Sequence, residues 1–300
     1  MEAHETAPTF DLQAHSAYSD GALAPAEVVR RAAAAGVELL ALTDHDTVDG
    51  VAEALAASRQ VDVTLVPAAE LSAVHGGHED LHICGYGIDH TDPALLETLR
   101  DYRGDRARRI HAMADRLREL GFALDESYLQ RETLGRPHLA EALLSHPANA
   151  ERLRAEGIDG KNALFPRYLV PGAIAYVPRS RPTVPEAIAL IHAHGGVAVW
   201  AHPFWDLDDP QETLATLREF AGHGLDGVEA FYPTHSEQQT RLLHGFATEN
   251  RLLATGSTDF HGPGHERFDR FRGFSLYGLE PRLGPLRPPP GRPGPTPGRP

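Results

Sequence analysis

"APAEVVRRAAAAGVELLALTDHDTVDG", residues 24–50, holds one complete structural period. Pro25 stands where a helix begins, amphipathic residues follow, and Gly36 stops the helix. "VELLALT" (37–43) is then a short run of buried-strand type, and it delivers the chain into "DHDTVDG", a polar loop. Helix, strand and loop in that order are the repeat of a parallel sheet, and such sheets bind ligands at the carboxyl ends of their strands.

The period recurs on both sides of this stretch. A helix over roughly 50–59 is followed by "VDVTLV" (61–66) and "LHICGYG" (81–87), both with strand character. Residues 184–260 return to the pattern. The helix "VPEAIALIHAHGG" leads to "VAVW" (197–200), a helix near 209–222 leads to "LDGVEAF" (225–231), and a helix around 236–249 leads to "RLLATGSTDFHG". The middle is different: it is arginine-rich and mostly helical ("GDRARRIHAMADRLRELG"), with little strand pattern before "AIAYVP". The expected organisation is a discontinuous α/β domain from 9–100 and 184–280. A helical insertion, 101–183, covers the active-site end. The tail 281–300 is too rich in Pro and Gly to form a core and is expected to be disordered.

Composition narrows the function. The 41% hydrophobic and 23% charged content is that of an ordinary soluble globular chain. No run of about 18 apolar residues appears, and "MEAHETAPTF" lacks the basic and apolar regions of a signal peptide. The expectation is a cytoplasmic protein with no membrane association and no obligate protein partner. Cys84 alone supports neither a disulfide framework nor a thiolate zinc cluster. The formal charge of −14 argues against a broad grip on long nucleic acid, which needs a basic footprint. A small phosphorylated ligand held by a few local cations remains open. Lys161 is the only lysine, so the positive charge is almost all arginine.

The chain has 18 histidines, and histidine is the commonest side-chain metal ligand. Their positions matter more than their number. In "FDLQAHSAYSDG" (10–21), Gln13, His15 and Asp20 arrive just after the first strand. His45 follows the second, Glu70 the third, and His82 lies within the next. His202 follows "VAVW", and Asp259 and His261 follow "LLATG". Imidazole and carboxylate ligands together suit Zn, Mn or Fe, and a bridging carboxylate can hold two ions about 3.5–4 Å apart. His111, His192 and His244 fall inside helices and read as ordinary surface or core residues, and Trp200 as packing beneath the site.

These motifs resemble the PHP (polymerase and histidinol phosphatase) family of metal-dependent phosphoesterases. "DLQAHS" is similar to its Asp-Leu-His-x-His opening with one departure, and "LTDHDT" (42–47), "AHP" (201–203) and "STDFHG" (257–262) follow in order. The resemblance covers about residues 9–280 and implies a distorted (β/α)7 barrel with two or three divalent ions, manganese first, with Zn, Fe or Mg as substitutes. It implies that His15, Glu70 and Asp259 hold one ion, with Gln13 at a lost ligand position. Glu70 would bridge to a second ion on His82 and His202, and Asp20, His45 and His261 would form a third cluster. His45, Asp20 and His202 are the implied catalytic groups for protonating a leaving oxygen.

The insertion motifs "GRPHLAEAL", "FPRYL" and "AYVP" look like the branch acting on small nucleotides. That branch removes the 3′-phosphate of 3′,5′-bisphosphonucleotides, and some members trim very short RNA. There Arg136, His138 and His235 would contact phosphate. Arg136 has a case of its own, because "LGRPH" puts a guanidinium in a turn just ahead of a helix start, where fork and dipole both favour phosphate. The alternatives are a phosphatase of histidinol phosphate or another small metabolite, and a catalytically weak nucleotide-phosphate binding protein. An amide oxygen at Gln13 is a weaker ligand than imidazole. It allows a weakly held ion, a preference for a harder ion, or a binding module; with every other position filled, an active enzyme with a loosened first site is expected.

Overall fold

Seven strands hydrogen-bond in chain order, β1 to β7, in one nearly closed sheet. They are β1 (Phe10–Asp11), β2 (Leu39–Leu42), β3 (Thr64–His75), β4 (His78–Tyr86), β5 (Val197–Trp200), β6 (Gly227–Phe231) and β7 (Leu253–Gly256). The computed structural model describes residues 8–130, 134–179 and 182–287. Closure runs through the loops past β1 and β7: Leu12 N donates to Gly256 O at 3.2 Å, and His15 N to Phe260 O at 2.7 Å. The result is the expected distorted α/β barrel.

One expectation fails. Strands β1, β2 and β3 pair in parallel, as do β5, β6 and β7, but β4 is antiparallel to both of its neighbours. The cause is the turn Gly76–Gly77, which leaves β3 and β4 as a hairpin, with Gly76 at φ 56. Strand β3 is also longer than "VDVTLV", and Glu70 lies inside it rather than after it. In the hairpin Glu70 faces Cys84 and Ser72 faces His82, so Glu70 and His82 are diagonal neighbours on one face.

The helices are α1 (Pro25–Ala34), α2 (Val51–Ser58), α3 (Pro93–Glu119), α4 (Arg136–Leu144), α5 (Ala150–Ala155), α6 (Lys161–Leu164), α7 (Val184–Ala193), α8 (Pro203–Asp206), α9 (Pro210–Gly222) and α10 (Glu237–Glu249). Several starts are written in the sequence. Asp92 and Asp209 cap α3 and α9 ahead of a proline, and capping boxes Thr183/Glu186 and Ser236/Gln239 open α7 and α10.

Helix α3 has 27 residues, about 40 Å at 1.5 Å per residue. Leu95 and Leu99 pack with the barrel core around Tyr86, Ile188 and Trp200. Further along, Ile110, Met113 and Leu117 pack with Leu139, Leu143, Leu153 and Tyr168 in a second core. "AIAYVP" joins that second core through Ala175 and Tyr176 as turn and loop, not as a strand. Two barrel acids hold the helical segment, Asp46 buried and Glu79 half-buried. Asp46 Oδ2 lies 3.5 Å from Arg106 Nη1 and 3.3 Å from Arg179 Nη2, and the Asp46 carbonyl accepts from Arg103 Nη1 at 3.1 Å. Glu79 accepts from Arg109, the Arg179 backbone and the Tyr176 hydroxyl.

The first seven residues of the Pro/Gly-rich tail are not a loose end. Arg282 pairs with Ala254 of β7, and Leu283 and Leu286 enter the barrel core. Residues 288–300, and residues 1–7 of the opening stretch, lie outside the described residues. No helix among the described residues is long and apolar enough to cross a membrane.

Candidate metal centre and cleft

Short strands end in side chains held by buried carboxylates. Asp11 accepts from Thr258 N at 2.7 Å and Oγ1 at 2.5 Å and from Arg272 N at 2.9 Å, which ties the first strand to the last loop. Burial pushes its carboxyl up to about 7 against these bonds. Asp44 accepts from Ser16 N, Ser16 Oγ and Ser19 Oγ, each at 2.7 Å, so the loop carrying His15 and Asp20 has one shape. Gly21 closes that loop where a Cβ would lie 2.3 Å from the His15 carbonyl oxygen. Three non-glycine residues here adopt left-handed backbone: Asp46 (φ 53), His202 (φ 32) and Asp259 (φ 57). Such strain costs about 1–3 kcal/mol per residue and persists where the surroundings enforce it, commonly at functional sites.

Three groups of candidate ligands result: His15, Glu70 and Asp259; His45, Glu70 and His82; and His15, Asp20, His45 and His261. Glu70 joins two of them. His15 Nε2 lies 3.1 Å from Glu70 Oε2 and 3.0 Å from Asp259 Oδ1. Glu70 Oε1 lies 2.9 Å from His82 Nδ1 and 3.1 Å from His202 Nε2, and those two nitrogens are 3.3 Å apart. Asp20 lies 3.5 Å from His15, His45 and His261 alike.

His202 Nε2 hydrogen-bonds Glu70 Oε1 and His82 Nδ1, but other atoms of the centre have no such bond. Among the described residues, His15 Nε2, His45 Nδ1, Glu70 Oε2 and Asp259 Oδ1 are buried with no hydrogen-bond partner. Unpartnered buried polar atoms are costly, and four that converge are served together by a divalent cation. The donor set of nitrogen and carboxylate oxygen fits Zn, Mn or Fe. The electrostatics agree. Burial works against protonation of His202, and contact with Glu70 outweighs it, pushing the imidazole up to about 10. Burial raises Glu70, and His82 and His45 outweigh it, holding its carboxyl well below the ordinary range. Burial alone dominates at His45, pushed down to about 4.

The centre opens into a cleft of about 600 Å³. Asp20, His45, Glu70, His82, His202, Asp259 and His261 line it from the barrel, and Arg106, Arg109, Arg136, His138 and Lys161 from the helical segment. Arg136 Nη1 donates to Leu169 O at 3.3 Å, and His138 Nδ1 accepts from Gly135 N at 3.1 Å. Lys161 pairs with Glu141 at 2.6 Å. One expected site residue lies elsewhere. His235 is buried behind Tyr232 and Phe204, outside the cleft lining, with Nδ1 on Ala230 O at 3.1 Å. Burial pushes it down to about 4, so it is a neutral ring at pH 7 and not a cation for phosphate. Gln13 is fully buried, with Oε1 accepting from Ser257 Oγ at 3.5 Å.

Sequence reasoning passed over several groups. Glu229, inside "LDGVEAF", accepts from His202 N at 2.9 Å and Ser257 Oγ at 2.5 Å, and burial raises it to about 8. An acid in the middle of an apolar strand was the available signal. Tyr232 Oη donates to Asp259 Oδ2 at 2.9 Å. Asp46 follows His45 directly, and burial there is outweighed by Arg179 and Arg106, which hold its carboxyl below the ordinary range.

The sequence model of the PHP domain family matches residues 11–144. The chain is 35% identical to the 3′,5′-nucleoside bisphosphate phosphatase of Chromobacterium violaceum, across 85% of this chain and 88% of that one. It is 33% identical to the 5′-3′ exoribonuclease of Haemophilus influenzae, across 85% of this chain and 90% of that one. Among solved structures, an amidohydrolase from Chromobacterium violaceum with bound sulfate and no metal matches with a TM-score of 0.75 and 32% identity, covering 88% of this chain and 91% of that chain.

Proposed function

The chain belongs to the PHP domain family of metal-dependent phosphoesterases, and from that premise we propose that it removes the 3′-phosphate of small 3′,5′-bisphosphonucleotides, with very short RNA as a second substrate of the same centre. The observation that carries this reading is the shared cleft: one opening joins the buried histidine–carboxylate centre to Arg106, Arg136 and Lys161. A substrate with a single phosphate needs only the first of these. A substrate with two separated phosphates uses both.

In this reading His15, Glu70 and Asp259 hold one ion, with Gln13 beside them. Glu70, His82 and His202 hold a second, and Asp20, His45 and His261 hold a third or face the substrate. These groups would hold two or three divalent ions, manganese first, which would provide Lewis acidity for the phosphoryl oxygens and for a water. Arg136 and His138 orient the second phosphate; a guanidinium does so with a two-pronged, charge-assisted contact. Burial pushes His45 down to about 4 and leaves it neutral at pH 7. Of the two candidate imidazoles His202, where Glu70 outweighs burial and lifts the ring to about 10, is therefore the one that carries a proton for the leaving oxygen. Asp20 is the accepting partner: burial raises its carboxyl, but His45 and His261 outweigh this and keep it ionised. The enzyme works in the cytoplasm on small molecules, without an obligate protein partner.

The test is phosphate release from 3′,5′-bisphosphoadenosine, histidinol phosphate and a short RNA, each with added manganese. The bisphosphate is expected to have the highest kcat/KM. Preference for histidinol phosphate would overturn the reading, as would tight bisphosphate binding without turnover.

A further inference from the structure

One wall of the cleft has no part in the phosphate chemistry. Trp205 is 48% exposed, and among the large apolar side chains exposed in the described residues it is the one that lines the cleft. An exposed aromatic on its own is ordinary. This one has company. Its ring centroid lies 5.8 Å from Phe268, which lies 5.1 Å from His265 with rings 16° from coplanar. Tyr232 lies 5.7 Å from Phe268, and His265 lies 5.1 Å from His261 of the candidate metal centre. Ring contacts therefore run from that centre to the cleft rim, mostly tilted to one another, with Phe268 buried among them and Trp205 exposed at the rim. The run is anchored at both ends, since Trp205 N donates to His202 O at 2.8 Å and His261 N to Phe268 O at 2.9 Å.

Two polar atoms of this wall are already committed, Tyr232 Oη to Asp259 and His265 Nδ1 to its own loop. His265 Nδ1 accepts from Arg267 N at 3.3 Å and Phe268 N at 3.1 Å, so the imidazole braces its own loop. The Arg267 guanidinium lies 5.7 Å from the Trp205 ring centroid. What the wall offers a ligand is π surface with a cation beside it. A ligand that places phosphate at the candidate metal centre and a flat ring against this surface is a nucleotide.

We infer that Trp205, held against the buried ring of Phe268, is a stacking platform for the nucleobase, and that it accepts purines and pyrimidines alike. The inference rests on the nucleotide reading above. It goes further in assigning base recognition to ring faces rather than to hydrogen bonds. Every base has a π face, so stacking tolerates any base. The platform separates nucleotides from base-less phosphoesters and does little to separate one nucleotide from another.

The experiment compares the parent, Trp205→Ala and Trp205→Phe as full-length manganese-loaded enzymes. Substrates are 3′,5′-bisphosphoadenosine, its cytidine counterpart and an abasic tetrahydrofuran 3,5-bisphosphate. Trp205→Ala is expected to raise KM for both nucleotides about ten- to hundredfold, the size of one lost base stack, with kcat and the abasic KM little changed. Trp205→Phe should recover most of the loss. A second readout needs no turnover: adenosine monophosphate should quench tryptophan emission in the parent and not in Trp205→Ala, where buried Trp200 is the remaining tryptophan. Equal losses on abasic and base-bearing substrates, or unchanged KM and quenching in Trp205→Ala, would overturn the platform. If the parent cleaves no bisphosphonucleotide, the substrate reading fails by itself, and the quenching titration still decides whether Trp205 stacks a base.

Discussion

The barrel and the helical segment supply the two halves of one cleft, and they treat charge in opposite ways. On the barrel side His15, His45, Glu70 and Asp259 are almost wholly buried, fixed by strand register and by carboxylates such as Asp44 that brace their loops. None of them can move without disturbing a strand. On the helical side Arg106 and Arg109 are held by Asp46 and Glu79, but Lys161 and Arg136 are partly exposed, and Lys161 rests on Glu141 with side chains 44% and 39% exposed. Exposed ion pairs contribute about 0–1 kcal/mol, so such partners are readily exchanged for a phosphate. One half is rigid and selects an ion; the other adapts and selects a charge pattern.

The contrast breaks most decisively at Glu70. If the barrel half depends on that shared carboxylate, Glu70→Gln should lose bound metal and lower kcat by about a thousandfold or more, since a bound ion contributes several kcal/mol to the transition state. Metal analysis beside kinetics would show it, and full metal content in the variant would end the comparison. Arg136→Ala tests the adaptable half. KM should rise about 10- to 150-fold for the loss of roughly 1.5–3 kcal/mol of charge-assisted bonding, with metal content unchanged. An unaltered KM would leave the helical half without a role.

Gln13→His sharpens the rigid half. An imidazole in place of the amide should lower the manganese needed for half-maximal activity by about 10- to 100-fold, the size usual for tuning a ligand shell. An unchanged requirement would take residue 13 away from the ion. The smallest effect belongs to His235, beneath the cleft. The unfolded imidazole takes up its proton near 6.5 and the folded one near 4. Below 6.5 the unfolded state therefore binds more protons, and this residue makes stability fall as pH drops towards 4, with no effect above 6.5. Denaturant titrations of parent and His235→Gln should differ in slope by at most about 1.4 kcal/mol per pH unit across that window. Parallel pH profiles would mean that the ring is not buried neutral.

The same contrast explains what could be read from the sequence. Ligand-type residues at strand ends stand out because few other reasons put imidazoles and carboxylates after apolar runs, and the structure does gather His15, Asp20, His45, Glu70, His82, His202, Asp259 and His261. The reversal of β4 was legible too, in Gly76–Gly77, but was outweighed by the βα rhythm on either side. Glu229 left a trace, an acid inside an apolar strand, but its partners were not legible, and Asp46 left none, since a buried carboxylate is known by what surrounds it. On the helical side "AIAYVP" has strand composition and lies in turns, because the second core needed Ala175 and Tyr176 and offered no sheet to join. His235 stands in a loop of apparently functional type, yet packing took it under the floor.

Helix α3 has a consequence for how the molecule comes apart. Leu95 and Leu99 belong to one core and Ile110, Met113 and Leu117 to the other, so one continuous helix ties the two cores together. The two halves of the cleft are therefore expected to share a single unfolding transition, with van't Hoff and calorimetric enthalpies that agree. Damage to either core is then felt across the whole chain. A cavity at Leu143, far from any ion, should lower the melting temperature of the metal centre as surely as one at Leu99.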